Sequence, residues 1–152
     1  MISIKVINRF TGANAFLSNF HPCRVTFCGM TFPSVEAAFQ AAKCAAPDDR
    51  PQFLTLTPAQ AKRRGRQVRI RPDWEQKKLA IMYDLLVQKF RENPELIPKL
   101  INTGKAVLVE GNTWHDNFWG SCTCPRCGGK RGRNQLGELL MKVRAGYCRQ
   151  RR

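Results

Sequence analysis

The sequence lacks the long apolar runs, the histidines and the glycine signatures on which several large functional classes depend. No stretch of its 152 residues approaches the roughly 18 to 20 consecutive apolar residues of a membrane-spanning helix. Met1-Ile2-Ser3-Ile4-Lys5 has no basic region leading into an apolar one, so the expectation is a cytoplasmic protein with no membrane partner. His21 and His115 are the only histidines, which leaves no H-E-x-x-H helix and no Ser-His-Asp arrangement. Neither G-x-G-x-x-G nor G-x-x-x-x-G-K-S/T occurs, so a Rossmann dinucleotide site and a P-loop are not supported. No organic cofactor is implied.

Acidic residues are also scarce, 11 against 26 Lys and Arg, for a net charge of +15. A field of that sign attracts polyanions such as nucleic acid, dinucleotides or phosphorylated metabolites. It is uneven: six of the ten residues from Lys62 to Arg71 are basic, which makes that run a candidate contact for nucleic acid. The run has no interleaved aromatics of the kind a single-strand stacking platform uses, and a solvated helix face is the competing explanation. An apolar content of 43% can fill a core without disulfides, and seven cysteines cannot all pair. Reduced thiols or metal ligands are therefore expected.

Patterning predicts a helix-rich α+β domain with a small β-sheet, covering residues 1–147 and followed by a basic tail at 148–152. Ile2-Ser3-Ile4-Lys5-Val6 alternates as a half-buried strand does, and Arg24-Val25-Thr26-Phe27 leads into a turn at Cys28-Gly29. Ser34 caps a helix to about Ala46, with Val35, Ala38, Phe39 and Ala42 as its buried stripe. Thr57-Pro58 opens a short helix bearing the basic run. The longest helix follows Pro72-Asp73, with Trp74, Leu79, Ile81, Met82, Leu85, Leu86 and Phe90 inward. A helix from Asn93-Pro94 to Gly104, interrupted by Pro98, precedes a strand at Ala106-Val107-Leu108-Val109, and the last helix spans about Asn134 to Tyr147.

Between them, residues 111–133 form a polar loop of more than twenty residues with a Cys-rich part at 121–131, and a loop of that length in a small domain is usually functional or stapled by a metal. It contains Asp116 between Trp114 and Trp119, then Gly120. Indole faces stack on planar bases, and an acid can bond a ribose hydroxyl or activate water. Cys122-x-Cys124-Pro125-Arg126-Cys127-Gly128 carries the Cys-Pro-x-Cys-Gly pattern of a zinc knuckle. Tetrahedral structural zinc needs four ligands and this loop supplies three cysteines; His115, Cys148, Cys23, Cys28 and Cys44 are the candidates for the fourth. In the Ser34 helix, Glu36 and Lys43 stand two turns apart on nearly one side, with Phe39 and Gln40 between them. A carboxylate in a first turn is held anionic by the helix field.

Four blocks together carry a resemblance. Asn14-x-Phe16-Leu17-Ser18-Asn19-Phe20 is followed by Phe32-Pro33-Ser34-Val35-Glu36-x-x-Phe39-Gln40-Ala41-x-Lys43. Asp116-Asn117-Phe118-Trp119-Gly120 comes next, and Gly132-x-Asn134-x-Leu136-Gly137-x-x-Leu140-Met141-x-x-Arg144 closes the set. In this order, across nearly the whole chain, they resemble the NADAR (YbiA-like) superfamily. The resemblance implies hydrolysis of the N-glycosidic bond of a ribose phosphate or ADP-ribose compound, such as a riboflavin-pathway intermediate or ADP-ribosylated guanine in DNA. It also implies that Glu36, Lys43 and Asp116 are catalytic, and that Asn14, Phe16, Asn19, Phe20, Trp119 and Asn134 bind substrate; Trp114 and Gly120 join the substrate-binding candidates from the loop's own chemistry, an indole face and a glycine that lets the backbone approach a ligand. Leaving the base builds positive charge at the ribose C1, which Glu36 or Asp116 would oppose while the other helps protonate the base. Lys43 would hold a phosphate or attack C1 as an amine. The Cys-x-Cys-Pro-x-Cys insertion departs from the family's shorter loop. The competing expectation is a non-catalytic ADP-ribose or nucleic-acid binding module with a zinc knuckle.

Overall fold

A computed structural model describes residues 3–151 and resolves the chain into two compact units. One is Asn19–Pro94; the other joins the residues up to Ser18 with those from Glu95 onward.

In the Asn19–Pro94 unit, β2 (Val25–Phe27) and β3 (Met30–Phe32) form an antiparallel hairpin. Its two-residue turn places Cys28 at φ 50° and Gly29 at φ 77°, the double left-handed geometry that matches the twist of the flanking strands. Helix α1 (Val35–Lys43) starts where the Ser34 hydroxyl accepts from the Ala37 amide at 3.1 Å. It ends at Cys44 rather than Ala46, because Cys44 leaves helical geometry to bridge Ile70. Every residue from Val35 to Ala42 is buried, so α1 runs through a core, not along its edge. Helix α2 (Pro58–Arg64) opens with the reciprocal Thr57–Gln60 capping box. In α3 (Trp74–Glu92), Trp74, Met82, Leu85, Leu86 and Phe90 are buried, whereas Leu79 is 38% exposed and does not belong to the inward stripe. Asn93 ends α3 and ties it to β2, its amide donating to Arg24 O at 2.8 Å while its Oδ1 accepts from Arg24 N at 3.1 Å.

In the other unit, β1 (Val6–Ile7) pairs in parallel with β4 (Val107–Leu108), Ile7 opposite Leu108. The expected strand began earlier, with Ile4 and Val6 on its buried face. Ile2 lies outside the described residues, Ile4 and Val6 are exposed, and Ile7 and Phe10 are buried instead. The register with β4 makes Ile7 the inward residue and turns its neighbour Val6 out. Pro94–Leu96 is a 3₁₀ turn and α4 (Ile97–Asn102) starts after it, so Pro98 falls in a first turn, where its missing amide costs nothing. The polar loop contains a short parallel pair, β5 (Gly111–Asn112) with β6 (Ser121–Cys122). Helix α5 (Gln135–Gln150) continues through most of the expected basic tail; Arg152 lies outside the described residues.

Helix α5 packs directly on β4. A methyl group at Gly137 would stand 2.0 Å from Leu108 O and 2.4 Å from the Asn134 side chain, so only glycine allows this approach. Gly137→Ala is expected to cost roughly 1–3 kcal/mol, seen as a lower urea midpoint at unchanged slope.

Candidate active site

In the Asn19–Pro94 unit, Glu36 and Lys43 lie on α1, and Asn19 and Phe20 lie in the segment before the hairpin. The Glu36 amide donates to Asn19 O at 3.0 Å, anchoring the first turn of the helix to the segment before the hairpin. Glu36 is 8% exposed. Gln40, one turn on, donates from Nε2 to Glu36 Oε1 at 2.9 Å, and its Oε1 accepts from Lys43 Nζ at 3.3 Å. Carboxylate, amide and amine thus form one chain along a helix face, at the i, i+4 and i+7 positions. Gln40 is held in turn by Gly65, where a methyl group would meet its Oε1 at 1.9 Å.

Partial burial pushes the Lys43 ammonium below its ordinary range, assisted by nearby Arg66 and opposed by the negative charges of Glu36 and Cys44. The basic run is stitched alongside: Ala45 N donates to Arg69 O and Arg71 N to Lys43 O, at 2.9 and 3.0 Å. Phe20 is 41% exposed, with Lys62 Nζ 5.9 Å from its ring centre. Asn19 turns its amide nitrogen toward Met82 Sδ at 3.6 Å, and its Oδ1 is buried with no hydrogen-bond partner. A buried carbonyl oxygen without a donor suits a ligand group.

In the other unit, the turn after Trp114 is organised by side chains accepting from backbone. Asn112 Oδ1 takes the Trp114 and Asp116 amides at 3.2 and 3.1 Å, and Asp116 Oδ1 takes those of Phe118 and Trp119 at 3.1 and 2.9 Å. The Trp119 ring meets Phe118 edge-on at 4.8 Å, whereas Trp114 is 57% exposed. At Gly120 a methyl group would lie 2.2 Å from Glu110 O, so glycine there serves the packing of the turn.

Asn134 sits at φ 51° before α5, its Oδ1 accepting from Glu110 N at 2.9 Å and its Nδ2 donating to Leu108 O at 2.8 Å. Its amide is therefore engaged with the backbone at both ends. Asn14 lies in the 3₁₀ turn Gly12–Leu17 with its amide on Thr11 O, and Phe16 is buried in that turn with Lys99 Nζ 5.9 Å from its ring centre.

Next to the turn after Trp114, Cys122, Cys124, Cys127 and His115 bring four donor atoms within 4.8 Å of one another and could hold a metal ion. His115 is thus the one of the five candidate fourth ligands that the fold places there. Burial opposes ionisation of the Cys122 thiol, but hydrogen bonds from Cys124, with smaller contributions from the His115 backbone and Cys127, bring its pKa down to about 7. Two contributors were not among the expected site residues. Gln40 was legible from its spacing between Glu36 and Lys43, whereas the role of Asn112 depends on the β5–β6 pairing, which short polar strands do not announce.

A family model described as the NADAR domain matches residues 8–146. A riboflavin biosynthesis protein of Vibrio vulnificus is 37% identical over 136 residues, 86% of this chain and 35% of that protein. A chloroplastic riboflavin biosynthesis protein of Zea mays is 37% identical over 131 residues, 76% of this chain and 20% of its own length. The chain therefore spans about a third and a fifth of those two relatives. The N-glycosidase YbiA of Escherichia coli is 33% identical over 144 residues, covering 91% of this chain and 86% of YbiA. The NMR structure of Escherichia coli YbiA superimposes with a TM-score of 0.81 at 30% identity, over 99% of this chain and 89% of that one. No helix among the described residues is long and apolar enough to cross a membrane.

Proposed function

Because the chain belongs to the NADAR family, we propose that it is an N-glycosidase that releases a nitrogenous base from an anionic riboside, either a ribose phosphate or an ADP-ribose adduct. The observation that carries this reading is the Glu36–Gln40–Lys43 chain on α1. A buried carboxylate, an amide that fixes its orientation and a partly desolvated amine are what cleavage at an anomeric carbon needs. The surplus of basic residues supports an anionic substrate, and the run from Lys62 to Arg71 would admit one attached to nucleic acid.

Departure of the base leaves an oxocarbenium-like C1, and Glu36 is the fixed negative charge that lowers its energy. Lys43, with its pKa lowered by burial, acts as the amine. Its Nζ lone pair forms the bond to C1 while the base leaves with the electrons of the C1–N bond. One amine proton passes to the base. The second passes to the ring oxygen as the sugar opens, giving an imine that water hydrolyses to free sugar and regenerated Lys43. Gln40 holds the two reacting side chains in register. Asn19 Oδ1, buried without a donor, accepts from a substrate hydroxyl.

The test is release of free base, followed by mass spectrometry, from a panel of riboflavin-pathway ribose phosphates and ADP-ribosylated guanine in DNA. Turnover of at least one panel member, with one sugar freed per base, is expected. Binding without release across the panel would identify a non-catalytic binding module instead.

A further inference from the structure

We propose that Cys122, Cys124, Cys127 and His115 bind one zinc ion, which staples the polar loop and holds the Asp116–Gly120 turn in place. The site stands on the geometry of the loop alone and does not depend on the reaction assigned above.

The donor spacing is close enough for one tetrahedral ion to draw the four donors together. Zinc–sulfur and zinc–nitrogen bonds of about 2.3 and 2.0 Å put the donor atoms of a tetrahedron roughly 3.5 to 3.8 Å apart. The four donor atoms here lie within 4.8 Å of one another, and His115 Nδ1 stands 3.2 Å from Cys124 Sγ and 3.5 Å from Cys127 Sγ. Three thiols and an imidazole, with no carboxylate among them, favour zinc over magnesium or calcium. Four protein donors also close the coordination sphere, so the ion is structural and leaves no position for a reacting water.

The backbone around the donors is shaped for sulfur ligation. Cys127 N donates to Cys124 O at 3.2 Å and Gly128 N to Pro125 O at 3.1 Å, forming a tight knuckle that Gly128 and Gly129 leave at φ 64° and 70°. Cys124 N approaches Cys122 Sγ at 3.4 Å, and Asn117 Nδ2 approaches Cys127 Sγ at 3.3 Å. Amide donors aimed at sulfur stabilise thiolates, as partners beyond the ligands do at metal sites. His115 is held at φ 68°, a conformation that a non-glycine residue keeps only when its surroundings enforce it. Three thiolates around a dication carry a net charge of −1, which Arg126, Lys130, Arg131 and Arg133 in the same stretch offset.

Asn117 carries the effect to the turn. While its Nδ2 faces Cys127 Sγ, its Oδ1 accepts from Cys122 N at 2.8 Å and its carbonyl accepts from Arg133 N at 2.8 Å. His115 lies directly before Asp116. Losing the ion frees both ends of the segment that Asp116 and Asn117 organise.

The experiment is elemental analysis of the full chain, expressed with zinc in the medium and purified without chelator. One zinc per chain is expected, retained in Cys28→Ser and lost in Cys124→Ser and Cys127→Ser. His115→Ala should weaken retention against a competing chelator by on the order of tenfold or more, since losing even a partner outside the ligand set has that effect. Exchange of the wild-type protein with cobalt(II) keeps the question decidable if the cysteine variants fail to fold. The intense visible bands of a tetrahedral ion and the sulfur-to-cobalt charge-transfer band should both appear. A wild-type protein with far less than one zinc per chain, full zinc in Cys124→Ser and Cys127→Ser, or the weak spectrum of six-coordinate cobalt would each overturn the proposal.

Discussion

Lys43→Ala is expected to lower turnover by on the order of 10³-fold or more, the scale on which removing a covalent nucleophile acts, while leaving the fold intact. Lys43 is the last residue of α1 and half-buried, its hydrogen bond to Gln40 is a long one of 3.3 Å, and alanine is the better helix former. The denaturation midpoint should therefore move little. Lys43→Arg separates the two roles open to this lysine. An arginine would still hold a phosphate, but it stays protonated and cannot supply an amine lone pair. The arginine variant is expected to be as inactive as the alanine variant; retention of most of the wild-type rate would assign Lys43 to phosphate contact. Steady-state kinetics on whichever substrate turns over makes the comparison.

The second large effect is at Glu36. Glu36→Gln keeps the shape and the hydrogen bond from Gln40, yet removes the negative charge that opposes the developing cation, and a loss of roughly 10²- to 10³-fold in kcat is expected. It should also change the pH profile in a defined direction. Burial lowers the Lys43 pKa and the Glu36 charge partly restores it. If the neutral amine is the reacting form, wild-type activity rises with pH through a pKa below the ordinary 10.5 of lysine. Taking away the Glu36 charge removes a contribution that raises this pKa, so the rise in the residual activity of Glu36→Gln should move to lower pH. A move to higher pH, or a profile and rate equal to wild type, would contradict the coupling of these two side chains.

Much of this arrangement is legible in the amino-acid sequence. The Ser34 cap, the helix it starts and the Glu36 and Lys43 spacing depend on local rules of capping and periodicity, and α1 follows them until Cys44 leaves to bridge Ile70. The long helix after Asp73 was equally clear. Features set by partners distant in sequence were not. Which residue of the first strand faces inward is fixed by its register with β4, Val6 opposite Val107 and Ile7 opposite Leu108, and alternation alone, which points Ile4 and Val6 inward, does not supply that register. Helical spacing likewise points Leu79 inward, whereas it is 38% exposed.

The polar loop shows the same division. Its cysteine knuckle was readable from spacing, but five residues competed for the fourth donor position, and only the fold brings His115 to the three thiols. Asn134 is instructive in another way. The sequence marks it by its place in a block, and in the fold its side-chain amide bonds Glu110 N and Leu108 O, a use of the residue that no local pattern encodes.

The most direct test of the α1 assignment is borohydride reduction during turnover, followed by peptide mapping by mass spectrometry. The imine between Lys43 and the opened sugar should be trapped as a stable adduct on the peptide containing Lys43, with one equivalent of base released per adduct. Release of base with no adduct at any lysine, or with the adduct on a different lysine, would contradict the assignment of Lys43 as the reacting amine.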